Sequence, residues 1–299
     1  MNIYENFQNE DMVNSEPLTT SIGAFDGIHL GHKALFEDAL QVSNGSYQII
    51  TFNSIPKVFF NKNLAPLLVP HERISIFKNS MPKNLIFLNF ESVNSMTPVA
   101  FCNLLKYNLK SNKLVIGKDF KFGKDRKGNI DTLVDFFGEN NIYLFEDYFM
   151  GSEKVSTTKI RQFYSDGNIK EAEKFLGRII SYTGTVVKGK QLGSSIGIPT
   201  ANIILTHQIQ LPKFGVYAVK VHVKGNSYLG CLNIGVNPTV DKDNITKNEI
   251  HILEFNEDIY HQEITYDLLD FIRDEKKFDS IEDLKAQILE DITNIKNNF

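Results

Sequence analysis

The sequence predicts an α/β domain followed by a smaller β domain, and three observations support this. In residues 18–145, apolar and β-branched runs alternate with segments of helical periodicity. This alternation is typical of a parallel, Rossmann-like sheet with helices on both faces. After residue 177, short strand-like runs bounded by Gly, Pro and Asn indicate a small antiparallel β-barrel. Residues 281–295 have apolar positions at helical spacing and predict a terminal helix.

The first half supplies the elements of the parallel sheet in order. The runs that read as strands are 18–25, 47–52, 85–90, 113–116 and 142–145. The segments with apolar residues at helical spacing are 32–40, 70–77, 98–109 and 131–137. Two short helices are expected at 156–164 and 169–176, as a bridge between the domains. We therefore expect one domain at 1–177 and a second at 178–299.

The second half supplies the barrel and the closing helix. The expected strands are 182–187, 215–223, 227–234, 249–255 and 262–271. Ser280 can cap the closing helix, with Asp283 three residues on as its partner in a capping box. The apolar stripe that we expect to be buried consists of Ile281, Leu284, Ile288, Leu289, Ile292 and Ile295.

Composition restricts the class of protein. The formal net charge of −4 gives no basic bias of the kind that marks a nucleic-acid binder. Cys102 and Cys231 lie far apart and are expected to be free thiols, as in a reducing compartment. The sequence contains no signal-peptide core and no apolar run of ~20 residues. We expect a cytoplasmic protein with small-molecule partners and with no nucleic-acid or membrane partner; the sequence leaves its oligomeric state open.

The first candidate site is the string GAFDGIHLGH at 23–32, between the first predicted strand and helix. Glycines let backbone N–H groups approach a phosphate, and the N-terminus of a helix favours an anion. His29 and His32 flank Gly31, so that both imidazoles can face one phosphate. A tight turn with two surface histidines is the alternative. A zinc site is less favoured, because neither cysteines nor an acidic cluster lie nearby in the sequence.

The string at 29–32 resembles the HxGH signature of nucleotidylyltransferases, and 23–32 as a whole resembles the version in prokaryotic bifunctional riboflavin kinase/FAD synthetases. The string STTKIR at 156–161 is similar to the distal SSTxxR motif of that superfamily. The resemblance implies a nucleotidyltransferase-type sheet in which His29, His32 and Arg161 are catalytic. The residues that it assigns to ATP and its phosphates are Gly23, Phe25, Asp26, Gly27, Gly31, Lys154, Ser156, Thr157 and Thr158. Lys154 stands where the family usually has arginine, and an ordinary helix cap is the alternative for the distal motif.

The segment GKDFKFG at 117–123 resembles the loop that lines the nucleotide and flavin pocket of the same family. The resemblance assigns Asp119, Phe120 and Phe122 to this pocket; the alternative is a strand exit with core phenylalanines. A P-loop is excluded, because Lys-Ser/Thr does not follow the glycines. The family commonly has Phe-x-Pro-His-Pro after the second strand, and Ile55 stands here in place of that histidine.

The second candidate site combines glycines at 189–197 with the string PTAN at 199–202. Thr200 and Asn202 lie two apart on an extended chain, on one side, and their oxygens suit a hard cation such as Mg²⁺. A glycine-rich hairpin without a ligand is the alternative. PTAN is similar to the signature of riboflavin kinases, which form a six-stranded barrel. The resemblance assigns ATP binding to Gly189, Gly193, Gly197, Thr200 and Asn202, the last two also as Mg²⁺ ligands. Ser194 replaces a usual arginine, for which Lys190 is a candidate substitute.

Further strings of the second half resemble the riboflavin kinase family. Residues 215–217 and 233–239 are similar to its GVY and NIGxxPT strings, and 249–253 to the strand that carries its base. The resemblance implies that Glu249 accepts the proton of the riboflavin 5′-hydroxyl. Arg273 and Phe278 are assigned to flavin binding. A solvent-facing strand glutamate is the alternative for Glu249.

The predicted function is phosphorylation of riboflavin to FMN with ATP, followed by adenylylation of FMN to FAD with release of pyrophosphate. Mg²⁺ is the expected cofactor, ATP the co-substrate, and riboflavin, FMN and FAD the substrates or products. One alternative is a riboflavin kinase with a degenerate first half, suggested by Ile55 and Lys154. Another is a flavin- or nucleotide-binding regulator without turnover.

Overall fold

The computed structural model describes residues 1–8, 11–189, 193, 196–236 and 246–299. Contacts divide the chain into two compact units, Met1–Thr157 and Thr158–Phe299. Lys190, Ser194 and positions 237–239 of the kinase string lie outside the described residues. No helix in the described ranges is long and apolar enough to cross a membrane.

The first unit is built on a six-stranded sheet in which all neighbouring strands are parallel. The strands are β1 (Asn2–Phe7), β2 (Leu18–Ile22), β3 (Tyr47–Phe52), β4 (Asn84–Leu88), β5 (Ser111–Gly117) and β6 (Ile142–Phe145). Their order across the sheet is β1-β4-β3-β2-β5-β6. A separate hairpin consists of β7 (Phe149–Met150) and β8 (Glu153–Lys154).

Helices cover both faces of this sheet. They are α1 (Leu30–Val42), α2 (Pro56–Phe60), α3 (Pro70–Asn79), α4 (Phe90–Asn94), α5 (Pro98–Asn103) and α6 (Ile130–Phe137). Ile50 and Ile86 belong to one buried cluster, whereas their neighbours Ile49 and Leu85 belong to another. Successive strand residues point to opposite faces, so these clusters lie on the two sides of the sheet. Burial on both sides explains why consecutive apolar residues occur in the central strands, as at 49–50 and 85–88.

The change of strand order around β2 creates a crevice. β2 pairs with β3 on one side and with β5 on the other, so that the sheet extends from it in opposite directions. In open α/β sheets, ligands bind at such a switch point, outside the carboxyl ends of the strands. Here those ends lead into 23–29 and 117–123, the loops that carry predicted nucleotide motifs.

A polar ladder crosses the amino-terminal half of the same sheet, with one side chain from each of β1 to β5. Gln48 Nε2 donates to Thr20 Oγ1 at 2.9 Å, and Thr20 donates to Ser111 Oγ at 2.8 Å. Asn84 donates to Gln48 Oε1 at 3.3 Å and accepts from Asn2 at 3.1 Å. All of these except Asn2 are buried. Because a one-residue slip would break the ladder, it fixes the register of the strands.

Several elements of the first unit differ from the sequence prediction, which does not contain α2, α4 or the β7–β8 hairpin. β1 has no predicted counterpart, because it is an edge strand with mostly exposed residues and lacks an apolar run. The predicted helix 98–109 is α5 followed by a π-helical turn at Leu104–Asn108. The predicted strand 85–90 ends at Leu88, because Asn89 accepts from the Ser92 N–H and so caps α4.

The second unit contains a closed barrel of antiparallel strands in its described residues. The strands are β9 (Ser181–Val187), β10 (Ala201–Leu205), β11 (Gly215–Val223), β12 (Asn226–Val236), β13 (Thr246–Ile252) and β14 (Glu263–Arg273). They close in the order β10-β13-β12-β11-β14-β9. Helices α7 (Thr157–Asp166) and α8 (Ile169–Leu176) precede the barrel, and α9 (Ile281–Asn298) follows it. The predicted fold, α/β followed by β with a terminal helix, is confirmed.

The terminal helix follows its predicted pattern only in part. Ser280 Oγ accepts from the Asp283 backbone N–H at 3.0 Å, so that the cap is present. The Asp283 carboxylate accepts from the Ser280 hydroxyl at 2.6 Å, and this replaces the backbone half of the predicted box. The predicted buried stripe is wrong at Ile281 and Leu289, which are 60% and 48% exposed, and Leu284, Ile288 and Ile292 are only half-buried. Ile295 is fully buried, because the helix packs on the barrel core toward its carboxyl end.

Candidate active sites

The loop after β2 turns through three left-handed residues. The φ angle is 47° at Phe25, 83° at Gly27 and 41° at Ile28. A Cβ added to Gly23 would lie 2.8 Å from the Phe25 ring, so only glycine fits there. Left-handed non-glycine residues are strained and persist where the surroundings fix them, which is frequent at functional sites. The loop ends at His29, which is the N-cap of α1.

His29 and His32 are joined at the start of α1 by reciprocal hydrogen bonds. Each Nδ1 accepts from the backbone N–H of the other residue at 3.3 Å. The two rings stack with 3.6 Å between their centroids. Because both Nδ1 atoms accept, the neutral rings carry their protons on Nε2. In this tautomer the Nε2 of each ring carries a proton beside a helix N-terminus, a position that favours phosphate oxygens.

The distal motif meets this loop inside the first unit. Thr157 Oγ1 donates to the Asp26 carbonyl at 3.0 Å. The Asp26 carboxylate is buried and accepts from the Leu67 backbone N–H at 2.9 Å. The structure therefore brings Asp26 and Thr157 together, with Ser156 adjacent in the chain. Their assignment to phosphate binding stays a prediction.

Lys154 joins the loops that follow β5 and β6. Its ammonium lies 2.6 Å from Asp147 Oδ1 and 3.7 Å from Asp119 Oδ2. The hydrogen bond with Asp147 is the main cause that raises the pKa of Lys154. Asp119 is exposed, whereas Phe122 is buried in the core with Phe120 stacked against it, 5.6 Å between centroids. The three predicted pocket residues thus lie at the carboxyl end of β5, and of these only Asp119 and Phe120 are accessible to solvent.

Arg161 and Thr158 lie on α7 and belong to the second unit by contacts. Arg161 is 9% exposed and donates to Gln210 Oε1 at 2.8 Å. The phosphate roles of both residues stay predictions. Ile55, which replaces the usual histidine, is buried and directly precedes α2.

Three polar side chains form a row across adjacent strands of the barrel. Asn202 on β10 pairs in register with Glu249 on β13, and Glu249 pairs with Asn233 on β12. Directly opposed residues share one face of a sheet. Glu249 Oε2 lies 2.7 Å from Lys247 Nζ, and the Glu249 side chain is 22% exposed. Glu249, the predicted base, therefore lies beside Asn202, the predicted Mg²⁺ ligand. Lys247, two residues before Glu249 in the chain, adds a positive charge.

Two glycines lie against the two predicted Mg²⁺ ligands. A Cβ on Gly189 would overlap the Asn202 amide, and one on Gly193 would lie 3.2 Å from Thr200 Oγ1. Mg²⁺ prefers hard oxygen ligands and binds few protein groups together with water and substrate phosphates. In the described residues, no group of three or more His, Cys, Asp or Glu side chains is placed to hold a metal ion. Thr200 and Asn202 each carry a side-chain oxygen, the donor type that Mg²⁺ prefers, and the small glycines allow both side chains to pack against this segment.

A cavity of about 330 Å³ opens beside this row. Thr200, Glu249 and Arg273 contribute polar lining, and Phe278 contributes an aromatic wall. Asp291 of α9 holds the Arg273 guanidinium through Nε and Nη2, with the shorter distance 2.8 Å. The guanidinium carbon lies 5.9 Å from the centre of the Phe278 ring. The structure therefore gathers the predicted base and the predicted flavin residues around one space.

Sequence reasoning missed a large part of this lining. The additional wall residues include Ile198, Val216, Cys231, Asn233, Lys247, Ile281, Leu284 and Ile288. The first half of α9 thus borders the cavity, although its apolar positions predict core packing. Burial raises the pKa of the Cys231 thiol to about 12, so the thiol is neutral. The polar Asp291 that continues the apolar face of α9 is the signal that could have revealed a site there.

A second cavity of about 330 Å³ also borders Thr200. Its lining is partly apolar and comes from β9, β10, β13 and the segment after β13. The residues include Val186, Pro199, Ala201, Ile250, Ile252, Phe255, Ile259 and Tyr260. Thr200 is therefore common to two spaces, as a residue that contacts the phosphates between two substrates would be.

Two family models match the first and the second half of the chain separately. The family model described as FAD synthetase matches residues 11–159, and that described as riboflavin kinase matches residues 176–299. A bifunctional riboflavin kinase/FMN adenylyltransferase of Buchnera aphidicola subsp. Acyrthosiphon pisum is 34% identical, over 100% of this chain and 98% of that protein. Proteins of the same name from Listeria monocytogenes and Escherichia coli K12 are each 32% identical. They match 91% and 97% of this chain, over 89% and 96% of their own lengths.

A solved structure extends the likeness to three dimensions. It is titled a macrolide-efflux protein from Streptococcus pneumoniae, and it is 30% identical with a TM-score of 0.85. The match covers 99% of this chain and 98% of that chain, so the fold is shared over the full length. With curated relatives above 30% identity along the whole sequence, the chain belongs to the family of bifunctional riboflavin kinase/FMN adenylyltransferases.

Proposed function

We propose that this protein phosphorylates riboflavin to FMN with ATP and then adenylylates FMN to FAD, releasing pyrophosphate. The observation that carries the proposal is a distinct set of reactive groups in each unit. His29 and His32 stack at the start of α1, where reciprocal backbone hydrogen bonds to Nδ1 fix both rings. Glu249 and Thr200 border one cavity of the barrel. A protein that only binds flavin needs neither a base nor donors aimed at a leaving group.

In the kinase half, the flavin ring occupies the cavity beside Phe278 and the first half of α9. Its ribityl chain extends to Glu249, which accepts the proton of the 5′-hydroxyl as the oxygen attacks the γ-phosphorus of ATP; the bond to the β,γ-bridging oxygen breaks and ADP leaves. Lys247, 2.7 Å from Glu249, keeps a positive charge beside the transferring phosphate. Arg273, held by Asp291, closes the cavity wall near the base.

The ATP of this reaction is assigned to the second cavity, with its phosphates at Thr200. Thr200 and Asn202 would hold Mg²⁺, which neutralises charge on the β- and γ-phosphates when bound. Gly189, Gly193 and Gly197 give the phosphates access to the backbone of this segment.

In the adenylylation half, the FMN phosphate attacks the α-phosphate of a second ATP, and pyrophosphate leaves. His29 and His32 donate from Nε2 to the phosphate oxygens as charge moves onto the leaving group. Arg161, Lys154 and the hydroxyls of 156–158 are assigned to the β- and γ-phosphates. Asp119 and Phe120 border the rest of the pocket. No side chain serves as a nucleophile, because FMN itself attacks.

Domain limits and location complete the proposal. We assign adenylylation to 1–177 and the kinase to 178–299. The family matches end at 159 and begin at 176, and the helical segment between them groups with the second unit by contacts. A cytoplasmic location is proposed from the two cysteines, which are free and buried, as in a reducing compartment.

The decisive experiment incubates the purified chain with riboflavin, ATP and Mg²⁺ and separates the flavins by chromatography. The expected result is FMN followed by FAD. A parallel reaction starts from FMN, so that the second step is measured alone. FMN without FAD in both reactions would establish a riboflavin kinase with an inactive first half, and no turnover in either would establish a binding protein.

A further inference from the structure

A buried arginine outside the predicted sites is hydrogen-bonded to the base of the nucleotide loop. Arg73, on α3, is 3% exposed. Its Nη2 donates to the Ala24 carbonyl at 3.2 Å and to Thr51 Oγ1 at 2.7 Å. Its Nη1 donates to the Phe52 carbonyl at 2.8 Å. One guanidinium therefore joins the loop after β2 to the carboxyl end of β3.

Stability alone is a weak reason for a cation at this position. Burial lowers the pKa of Arg73 to about 10, and the charge of Asp26 opposes this effect only in part. Arg73 Nε has no hydrogen-bond partner among the described residues. Buried ions that are replaced by well-packed apolar groups often leave a protein as stable or more stable. A partly satisfied arginine at a ligand crevice therefore points to a role beyond packing.

The groups around Arg73 are those that shape the loop. Ala24 directly precedes Phe25, the first left-handed residue. Thr51 Oγ1, which accepts from Arg73, donates to the same Ala24 carbonyl at 3.2 Å. Asp26, whose charge acts on Arg73, is anchored by the Leu67 N–H. Arg73 thus bonds the residue before the first strained position directly, whereas Asp26, the residue after it, is held by the Leu67 N–H.

We propose that Arg73 is a positioning residue for adenylylation, which holds Ala24 so that the strained loop places His29 and His32 for phosphate binding. The inference rests on the proposed function of that site. Arg73 itself does not contact the substrate; it acts through the loop. Displacing a reacting group by ~1 Å costs on the order of 100-fold in rate, so even a small relaxation of the loop would be measurable.

The experiment compares Arg73→Gln, Arg73→Lys and Thr51→Val in the full chain. Thr51→Val keeps the shape of the side chain and removes the hydroxyl that bonds both Arg73 and the Ala24 carbonyl, while the direct bond from Arg73 to Ala24 remains, so it weakens the same cluster without removing the guanidinium. Gln48→Leu is the matched control. Gln48 lies on the same strand as Thr51, is equally buried, and belongs to the polar ladder in the amino-terminal half of the sheet.

With FMN and ATP supplied directly, Arg73→Gln should lower kcat by ~10- to 100-fold and change the KM for ATP by less than about 3-fold. Arg73→Lys should recover part of the rate, because it keeps the charge without the planar fork. The kcat of Thr51→Val for adenylylation should lie between the values for Arg73→Gln and the parent. Riboflavin phosphorylation by the same preparations should be unchanged. Gln48→Leu should keep its adenylylation rate within about 3-fold, although it unfolds more easily.

Amide hydrogen exchange of the substrate-free chain tests the inference without any turnover. Residues 23–32 should exchange roughly tenfold faster in Arg73→Gln and Thr51→Val than in the parent or in Gln48→Leu. A parent that makes no FAD would contradict the proposed function, and the exchange result would then decide the inference by itself. Equal exchange of 23–32 in all four variants, or adenylylation that falls only in proportion to lost stability, would overturn it.

Discussion

The amide of Asn202 packs against the Cα of Gly189, so closely that a methyl group on Gly189 would overlap it. The φ angle of Gly189 lies outside the left-handed region, so alanine meets no backbone obstacle there. The glycine is required because the side chain of Asn202 approaches it. This contact gives a means of moving the proposed Mg²⁺ ligand without replacing it.

Gly189→Ala should raise the Mg²⁺ concentration needed for riboflavin phosphorylation by ~10- to 100-fold, the usual effect of disturbing a group that orients a metal ligand. Initial rates over a Mg²⁺ titration at fixed ATP measure this. Adenylylation of FMN should be unchanged. The control is Gly225→Ala in the turn between β11 and β12, where the methyl meets open space and the φ of 78° strains the backbone, so it reports the effect of lost stability without contact to a ligand. A Mg²⁺ requirement like that of the parent in Gly189→Ala would remove Asn202 from the proposed site.

The reciprocal bonds between His29 and His32 allow capping and catalysis to be separated. Asparagine is a good N-cap, so His29→Asn should preserve the start of α1 while it removes the Nε2 donor. We expect FMN adenylylation to fall by ~100- to 1,000-fold, the cost of one donor to developing charge. His29→Ala with His32→Ala should abolish it. Flavin chromatography should show FMN still forming from riboflavin in both cases. A folded double variant that loses both activities equally would contradict the separation of the two sites.

The polar ladder makes a prediction about stability. In Gln48→Leu, the Leu109 carbonyl, which accepts from Gln48 Nε2 at 2.7 Å, and the Asn84 amide lose their buried partner. Each unsatisfied group costs ~1–3 kcal/mol, so the free energy of unfolding of the first unit should fall by roughly 2–4 kcal/mol. Urea unfolding followed by hydrogen exchange of β3 measures this. Gln41→Leu, on the exposed side of α1, is the control. A loss below about 0.5 kcal/mol would show that the ladder contributes no net stability.

Secondary structure is easiest to predict from the sequence where a strand is buried on both faces. β3 is buried at every position and consists of β-branched, aromatic and apolar residues apart from Gln48, so its prediction is accurate. β1 is an edge strand with one buried residue, Phe7, and therefore gives no such signal. The stripe of α9 is misread at Ile281 because helical periodicity cannot distinguish a core from the wall of a cavity.

The candidate sites show a similar limit. The strings that contain His29 and Asn202 are local, so that residue types and spacing identify them. The row that joins Asn202, Glu249 and Asn233 depends on strand pairing between distant segments, which periodicity does not specify. The role of Arg73 is not predictable for another reason. An arginine in the helical segment HER is expected to face solvent, and its burial results from tertiary contacts alone.

The last prediction concerns Glu249. Glu249→Gln keeps the shape of the side chain and removes the base, so riboflavin phosphorylation should slow by about two to four orders of magnitude. The affinities for ATP and riboflavin should change little, because the loss belongs to the transition state. Adenylylation of FMN should persist. Rapid-mixing turnover and calorimetric binding measure the two effects separately.

Two further variants test whether the effect is specific to the base. Glu254→Gln is the matched control, since Glu254 follows the same strand and is paired with Lys296 at 2.8 Å, outside the linings of both cavities. It should phosphorylate riboflavin like the parent. Lys247→Met removes the partner that lies 2.7 Å from Glu249 and should cost only ~3- to 10-fold, because the carboxylate remains available as a base. Turnover of Glu249→Gln within a few-fold of Glu254→Gln would show that another group, or water, takes the proton of the 5′-hydroxyl.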